Sequence, residues 1–92
     1  MKKITCFYLE DCPYCVNAKK AIEELKEENK KYKDIEIEWI EENEHPEIID
    51  NYDYHAVPCM FIEENKEYEA HLFEKYEETK ESIKKVFDKV LK

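Results

Sequence analysis

Two cysteines separated by two residues, in the segment Cys12-Pro13-Tyr14-Cys15, have the spacing of a reactive pair. They follow a nearly unbroken apolar run at residues 4–9 and precede a segment in which apolar residues recur with helical spacing. A strand that leads into a helix with Cys-x-x-Cys in its first turn is a usual setting for reversible dithiol–disulfide exchange. We therefore predict a redox-active loop that the rest of the chain positions.

The spacing assigns a different role to each cysteine. The sulfur of Cys12 is expected to lie exposed at the N-terminus of the helix, where free N–H groups and the helix dipole favour a thiolate. We expect Cys12 to attack a substrate disulfide and Cys15, one turn into the helix, to resolve the mixed disulfide. Pro13 stiffens the loop, and Tyr14 is expected to form part of its exposed rim.

A zinc site is the alternative interpretation of a Cys-x-x-Cys pair. Zinc in proteins normally has four ligands, and the second pair here would be His55 with Cys59, or the isolated His45 and His71. A proline between the two cysteines at the start of a helix suits redox exchange better than metal binding. We therefore predict no metal site.

Hydrophobic periodicity predicts the strands that hold this loop. They lie at residues 3–9, 34–40, 59–62 and 67–73, with a loop at 54–57 and a hairpin turn at 63–66. The first strand is apolar enough to be central and covered on both faces, whereas the second alternates acidic and apolar residues and suits a sheet edge.

Three helices are predicted between and after these strands. They span residues 15–31, with Pro13 suited to the start, then Pro46 to Tyr52, and finally a helix up to Leu91 with Thr79 as its N-cap. The order β-α-β-α-β-β-α predicts an α/β fold, in which one four-stranded mixed sheet is flanked by helices.

The chain has 92 residues, a length that predicts one domain over residues 1–92. It contains no glycine, so backbone conformations with positive φ must fall to other residues, and asparagine tolerates them well. Aspartate or another residue can also adopt such a conformation at a steric cost, and the candidates are four asparagines: Asn29, Asn43, Asn51 and Asn65.

The charge balance argues against two classes of partner. A net charge of −9 repels nucleic acids and anionic membrane surfaces, so we predict that the protein binds neither. No apolar run approaches the ~20 residues of a membrane span, and the N-terminal residues lack the apolar segment of a secretion signal. The expected location is therefore the cytoplasm, and the expected state is a monomer.

Two short motifs resemble a known family. Cys-Pro-Tyr-Cys at residues 12–15 is similar to the active site of dithiol glutaredoxins, and Ala56-Val57-Pro58 to the second signature of the thioredoxin/glutaredoxin superfamily. The resemblance extends over nearly the whole chain, because the order of elements also matches. It implies a thioredoxin-like fold, a cis Pro58 that faces the cysteines, and a Val57 backbone that pairs with substrate. Pro13 and Tyr14 complete the predicted substrate-binding set.

One part of the glutaredoxin pattern is missing. Glutaredoxins have a Gly-Gly turn after the hairpin that, with a nearby aspartate, grips glutathione, whereas residues 73–79 contain no glycine and three glutamates. Glutathione is anionic at neutral pH, and these glutamates, together with Glu10 and Asp11, should repel it. We expect electrons to come from a thioredoxin-reductase-type protein rather than from glutathione.

The acidic residues beside Cys12 also predict the direction of electron flow. Glu10 and Asp11 disfavour a negative charge on Cys12, which makes the reduced form less stable and the couple more reducing. We predict a small thiol–disulfide oxidoreductase that reduces disulfides of protein substrates, with no cofactor beyond its own cysteine pair. The alternatives are a glutathione-dependent glutaredoxin and a redox-inert binding module or zinc-binding module of the same fold.

Two further cysteines lie in predicted strands. Cys6 occupies the position at which thioredoxins commonly bury an aspartate, and Cys59 directly follows Pro58. Their strands are expected to be neighbours, so the two sulfur atoms can lie close together. We expect two buried, inert thiols, with a second disulfide or a third redox thiol as the alternative.

Overall fold

A four-stranded mixed sheet with the order β2-β1-β3-β4 forms the centre of the computed structural model, which describes residues 2–92. The strands are β1 (Ile4–Tyr8), β2 (Ile37–Glu41), β3 (Cys59–Ile62) and β4 (Asn65–Glu69). The helices are α1 (Pro13–Glu28), the short α2 (Pro46–Ile49) and α3 (Tyr76–Val90), with a 3₁₀ turn at Lys30–Tyr32. β1 is parallel to β2 and antiparallel to β3, and β3 and β4 form a hairpin. The predicted element order, the mixed sheet and the edge position of β2 are confirmed.

β1 is buried on both faces, as its apolar sequence predicts. Ile4 and Cys6 lie in the larger core, against α1 and α3, whereas Phe7 lies in a smaller core on the opposite face of the sheet. All three side chains are 0% exposed. β1 ends just before the cysteine loop. Because its side chains are buried on both faces of the sheet, β1 has a fixed position and so determines where α1 begins.

The larger core lies between one face of the sheet and the apolar stripes of α1 and α3. Each helix contributes residues at helical spacing: Ala18, Ala21, Ile22 and Leu25 from α1, and Ile83, Val86, Phe87 and Val90 from α3. Lysines and glutamates occupy the solvent-facing sides of both helices. Within residues 2–92, no helix combines the length and the apolar character needed to cross a lipid bilayer.

The smaller core is mainly aromatic. The ring of Phe7 stacks on Tyr54 with centroids 4.9 Å apart, and Phe61 meets Phe7 edge-on at 5.8 Å. The ring centroid of Tyr52 lies 4.8 Å from that of Phe7 and 4.8 Å from that of Phe61. Such aromatic pairs contribute about 0.5–1.5 kcal/mol each beyond area burial. Val57 packs against the same cluster, so this core attaches the loop of residues 52–57 to the sheet.

β2 begins at Ile37 rather than at residue 34, and α2 ends at Ile49 rather than at Tyr52. Two further element boundaries differ from the predictions because of local turns. α1 ends at Glu28, earlier than predicted, since Asn29 starts the 3₁₀ turn by accepting a hydrogen bond from the Lys31 N–H at 3.1 Å. β4 spans Asn65–Glu69 rather than residues 67–73, since the hairpin connection is only the pair Glu63-Glu64. The earlier end of β4 leaves a loop at residues 70–75 that contacts the first turn of α1.

The prediction that Thr79 is the N-cap of α3 is wrong. α3 begins at Tyr76 with Lys75 as the N-cap, and the Glu78 carboxylate accepts a hydrogen bond from the Lys75 N–H at 3.0 Å. Thr79 is buried in the first turn, and its hydroxyl donates to the Glu74 carboxylate at 2.5 Å. The Thr79 hydroxyl therefore forms a hydrogen bond with a buried carboxylate and does not cap the free N–H groups at the start of α3. The local sequence pattern does not reveal this contact.

The prediction that asparagines adopt positive φ is also wrong, because such angles occur at Glu63 (55°) and Phe73 (64°). Asn29 is extended, with φ −144°, and Asn65 begins β4. Glu63 takes the first position of the two-residue hairpin connection, where the twist of the paired strands favours a left-handed residue. Strand geometry thus overrides residue preference at this turn.

We predict that Glu63→Gly stabilises the protein by about 1 kcal/mol, because glycine adopts a positive φ without steric cost. The matched control is Glu64→Gly, at the neighbouring position without a positive φ. There glycine mainly increases the entropy of the unfolded chain and should lower stability. Urea unfolding followed by circular dichroism gives the free energy of unfolding of both variants. Equal changes in this free energy would contradict the assignment of backbone strain to Glu63.

Candidate active site

Cys12 is the N-cap residue of α1. Its backbone is extended (φ −82°, ψ 120°), and its carbonyl oxygen accepts hydrogen bonds from the N–H groups of Cys15 at 3.0 Å and Val16 at 3.1 Å. Pro13 takes the first helical position, where a missing N–H costs nothing. Cys12 is partly exposed, and it lies at the positive end of the helix dipole.

Val57 and Pro58 lie next to Cys12. The Val57–Pro58 peptide bond is cis, as the resemblance implied. The carbonyl oxygen of Val57 is 3.8 Å from Cys12 Sγ, within the range of a weak thiol hydrogen bond. Pro58 is buried, and its carbonyl oxygen accepts a hydrogen bond from the Ala70 N–H at 3.0 Å. The structure therefore brings the predicted nucleophile and the predicted substrate-pairing backbone together.

A carboxylate from β4 holds this loop. Glu69 accepts hydrogen bonds from the backbone N–H groups of His55 and Ala56, the latter at 2.8 Å, and from Lys66 Nζ at 3.0 Å. Burial raises the pKa of Glu69, but the hydrogen bonds from His55, Lys66 and Ala56 outweigh it and lower the pKa below its ordinary value. We call Glu69 with its two backbone partners the loop clamp. Sequence reasoning missed it, because no local motif marks this residue among 24 acidic ones.

Cys15 lies behind Cys12 and is only 2% exposed. Burial raises the pKa of the Cys15 thiol to about 12; a hydrogen bond with the Leu9 backbone lowers it, and contact with the Cys12 side chain raises it again. Cys15 is therefore a protonated thiol at neutral pH. Two adjacent sulfur atoms with such different exposure can divide attack and resolution between them.

Tyr14 connects the cysteine loop to the segment before α3. It is half-buried against the larger core, and its hydroxyl oxygen accepts a hydrogen bond from the Phe73 N–H at 2.9 Å. Tyr14 is thus less exposed than the predicted rim position, whereas Pro13 is exposed. This hydrogen bond attaches the loop of residues 70–75 to the first turn of α1.

Three large apolar side chains are exposed among residues 2–92: Val16 (59%), Leu72 (74%) and Phe73 (82%). Val16 directly follows Cys15, and the other two lie on the loop that Tyr14 contacts. Sequence reasoning did not distinguish Leu72 and Phe73 from core residues, because it placed both in the fourth strand. The structure instead leaves them on the surface beside the cysteine loop.

Cys6 and Cys59 lie on neighbouring strands, as predicted, but on opposite faces of the sheet. Cys6 is opposite Met60 in the strand register, and Cys59 is opposite Phe7, so the alternation of side chains directs the two sulfur atoms apart. Both thiols are free and 0% exposed. Burial raises the pKa of Cys59 to about 12 and also raises the pKa of Cys6. These features fit two inert thiols rather than a Cys6–Cys59 disulfide.

The three histidines, which are the alternative zinc ligands in the sequence, are dispersed over the surface. His45 lies 3.5 Å from the Glu47 carboxylate and His71 lies 3.3 Å from that of Glu78, while the backbone of His55 is part of the loop clamp. In the part of the chain that the structure describes, no three side chains of His, Cys, Asp or Glu are grouped so as to hold a metal ion.

A protein-family comparison identifies the group to which the chain belongs. The family model described as Glutaredoxin matches residues 4–66, more than half of the 92 residues. The chain belongs to the glutaredoxin family. The family match includes the cysteine loop and the Val57–Pro58 bond, and it ends before the loop of residues 70–75. A search of curated proteins gave no match.

A solved structure shows the same architecture as this glutaredoxin-family chain. Thioredoxin 1 from the thermophilic eubacterium Thermosipho africanus TCF52B aligns with a TM-score of 0.59 and 22% sequence identity. The alignment covers 98% of this chain and 99% of that one. At this identity the similarity concerns the fold alone, and it confirms the predicted thioredoxin-like fold.

We predict that Glu69→Gln lowers the free energy of unfolding by about 1–2 kcal/mol at neutral pH, because the loop clamp loses its charge-assisted hydrogen bonds. Since the pKa of Glu69 is lowered in the folded protein, the clamp stabilises the fold above the ordinary glutamate pKa. That contribution is lost as the pH falls through the lowered value.

The difference in free energy of unfolding between Glu69→Gln and the parent protein should therefore become smaller at acidic pH. Urea unfolding at neutral pH and below about pH 4 measures it, with the exposed Glu64→Gln as the matched control. A Glu69→Gln variant that behaves like Glu64→Gln at both pH values would contradict the role of the clamp.

Proposed function

We propose that this glutaredoxin-family protein reduces disulfides of protein substrates, with Cys12 as the nucleophile and Cys15 as the resolving thiol. The observation that carries the proposal is the arrangement of the pair at the start of α1. Cys12 is partly exposed at the N-cap, 3.8 Å from the Val57 carbonyl oxygen, and Cys15 is buried behind it. A metal-binding or purely structural pair has no need for one exposed and one buried sulfur.

Reduction takes two exchange steps in this proposal. The Cys12 thiolate attacks one sulfur of the substrate disulfide, and the other substrate sulfur leaves as a thiolate that takes a proton from water. Cys15 then loses its proton to solvent and attacks Cys12 Sγ, which releases the second substrate thiol. The substrate gains two electrons and the protein is left with a Cys12–Cys15 disulfide, which an external reductant must reduce.

The loop beside Cys12 gives this chemistry a place for a substrate backbone. Val57 is anchored by its side chain in the smaller core and, through its neighbours, by the loop clamp. Its carbonyl oxygen therefore has a fixed position, at which an extended substrate segment can donate a backbone N–H. Pro13, which is exposed, and the exposed part of Tyr14 complete the proposed contact surface.

The loop of residues 70–75 favours a protein reductant over glutathione. Phe73 takes a left-handed backbone conformation (φ 64°) and its bulky side chain is 82% exposed, next to Tyr14. Glu77 and Glu78 follow in the first turn of α3, so an anionic tripeptide would meet negative charge there. A reductase of the thioredoxin-reductase type is the electron donor that we propose.

The second candidate is a glutathione-dependent glutaredoxin. It is favoured by the family match, which covers the active-site loop and the cis proline. The match ends at residue 66, however, before the segment in which this chain differs from the glutathione-gripping pattern. We therefore place this candidate second.

The cellular setting that we propose is a monomer in the cytoplasm. Cys6 and Cys59 are buried on opposite faces of the sheet and are not placed to form a structural disulfide. This arrangement suits a compartment that keeps thiols reduced. The net charge of −9 makes nucleic acids and anionic membranes poor partners.

Insulin reduction with two electron donors tests the proposal. We predict sustained turnover with thioredoxin reductase and NADPH, and little turnover with glutathione and glutathione reductase. Cys12→Ser should abolish the activity, whereas Cys15→Ser should still attack and then accumulate a mixed disulfide, because resolution is lost. Cys59→Ala, which removes a buried thiol that takes no part in the exchange steps, is the matched control and should retain activity.

The opposite outcomes separate the alternatives. Turnover with glutathione but not with the reductase would make the protein a glutathione-dependent glutaredoxin. No turnover with either donor, together with stoichiometric zinc in the purified protein, would support the zinc-binding module. No turnover and no zinc would leave a redox-inert binding module of the same fold.

A further inference from the structure

Lys19 is held against two aromatic rings one helical turn after Cys15. Its Nζ atom lies 4.5 Å from the ring centroid of Tyr8 and 5.4 Å from that of Trp39. The two rings meet edge-on, with centroids 5.5 Å apart. A lysine ammonium group is attracted to aromatic faces at such distances, so this pair restrains a side chain that is otherwise flexible.

The charge of Lys19 is not neutralised by a close carboxylate. Among residues 2–92, the ion pairs join other lysines and histidines to acids, and none includes Lys19. The aromatic rings attract the ammonium group but carry no net negative charge that could neutralise it. Glu23 lines the same surface depression as Lys19 without forming an ion pair with it, so the positive charge of Lys19 acts on nearby groups under screening by solvent alone.

The helix directs this charge toward the resolving cysteine. Cys15 and Lys19 are four residues apart on α1, so they lie on the same side, with Cβ atoms about 5–6 Å apart. Side chains on a helix lean toward its N-terminus, which here is the cysteine loop. Tyr8, which holds the ammonium group, is followed by Leu9, whose backbone lowers the pKa of the Cys15 thiol. Lys19 is thus restrained on the side of α1 that carries Cys15.

We propose that Lys19 is a positioning residue for the resolution step: its ammonium group, held by Tyr8 and Trp39, favours the thiolate of Cys15 when Cys15 attacks the mixed disulfide. This inference rests on the dithiol function proposed above. It concerns the second exchange only, because Cys12 attacks in the first.

The surroundings of Cys15 explain why such a charge is needed. The titratable groups that act on Cys15 are Cys12 at the N-cap, Cys6 on β1 and Lys19 on α1. Burial raises the pKa of Cys15 and contact with Cys12 raises it further, while Lys19 lowers it. Cys6 is itself a buried thiol with a raised pKa and cannot accept the proton at neutral pH. The proton therefore leaves to solvent, and Lys19 compensates the charge that remains.

Stopped-flow reaction with dithiodipyridine, a neutral aromatic disulfide that releases a coloured thione, measures the two steps separately. The first release reports attack by Cys12, and the second reports resolution by Cys15. We expect Lys19→Met to slow the second phase about tenfold and to move its pH dependence to higher pH, with the first phase changed less than about twofold. Lys19→Arg should keep the parent behaviour, because it retains the charge.

The matched control is Lys20→Met. Lys20 is also exposed on α1, but its Nζ lies over Tyr76 at 5.4 Å, away from Tyr8 and Trp39. Both of its phases should match those of the parent. As a second measurement, high salt should slow the second phase of the parent more than that of Lys19→Met, because it screens the ammonium charge.

An unchanged second phase and pH profile in Lys19→Met would overturn the inference, as would equal slowing of both phases or equal slowing in Lys20→Met. A parent protein that releases only one thione would instead contradict the dithiol function itself. The two failures are therefore distinguishable.

Discussion

The burial of β1 on both faces determines the position of the reactive groups in this protein. Ile4, Cys6 and Phe7 fill the two cores from one strand, and the chain leaves that strand directly into the cysteine loop. The smaller core, built around Phe7, also holds the side chain of Val57. One buried strand therefore sets both the start of α1 and the place of the loop opposite Cys12, and Glu69 fixes the backbone of that loop from β4.

The site is asymmetric, and its asymmetry follows from burial and charge. Cys12 lies partly exposed at a helix N-terminus, while Cys15 is buried and remains a thiol at neutral pH. Lys19, four residues after Cys15 on α1, places a positive charge on that side of the helix in a chain whose net charge is −9. The glutaredoxin-family cysteine loop is combined with a segment at residues 70–75 that presents Phe73 rather than a glycine turn.

Sequence reasoning reached the features that depend on neighbouring residues. Apolar spacing predicted the element order, and the motifs identified Cys12, Cys15 and the cis bond before Pro58. It did not reach features that depend on contacts between distant segments. Glu69 looks like any acidic residue until the fold brings it to the loop, and the hydroxyl of Thr79 faces buried Glu74 rather than the helix end. The left-handed Phe73 is likewise set by the loop and its bond to Tyr14.

Alkylation of the reduced, folded protein tests most directly whether Cys12 is the accessible nucleophile and Cys15 the buried resolving thiol. A short exposure to iodoacetamide at neutral pH, followed by peptide mass spectrometry, gives the order in which the thiols react. We predict that Cys12 is modified first, and that Cys6, Cys15 and Cys59 react only after unfolding in urea, because they are buried. Modification of Cys15 at the same rate as Cys12, or before it, would contradict this account.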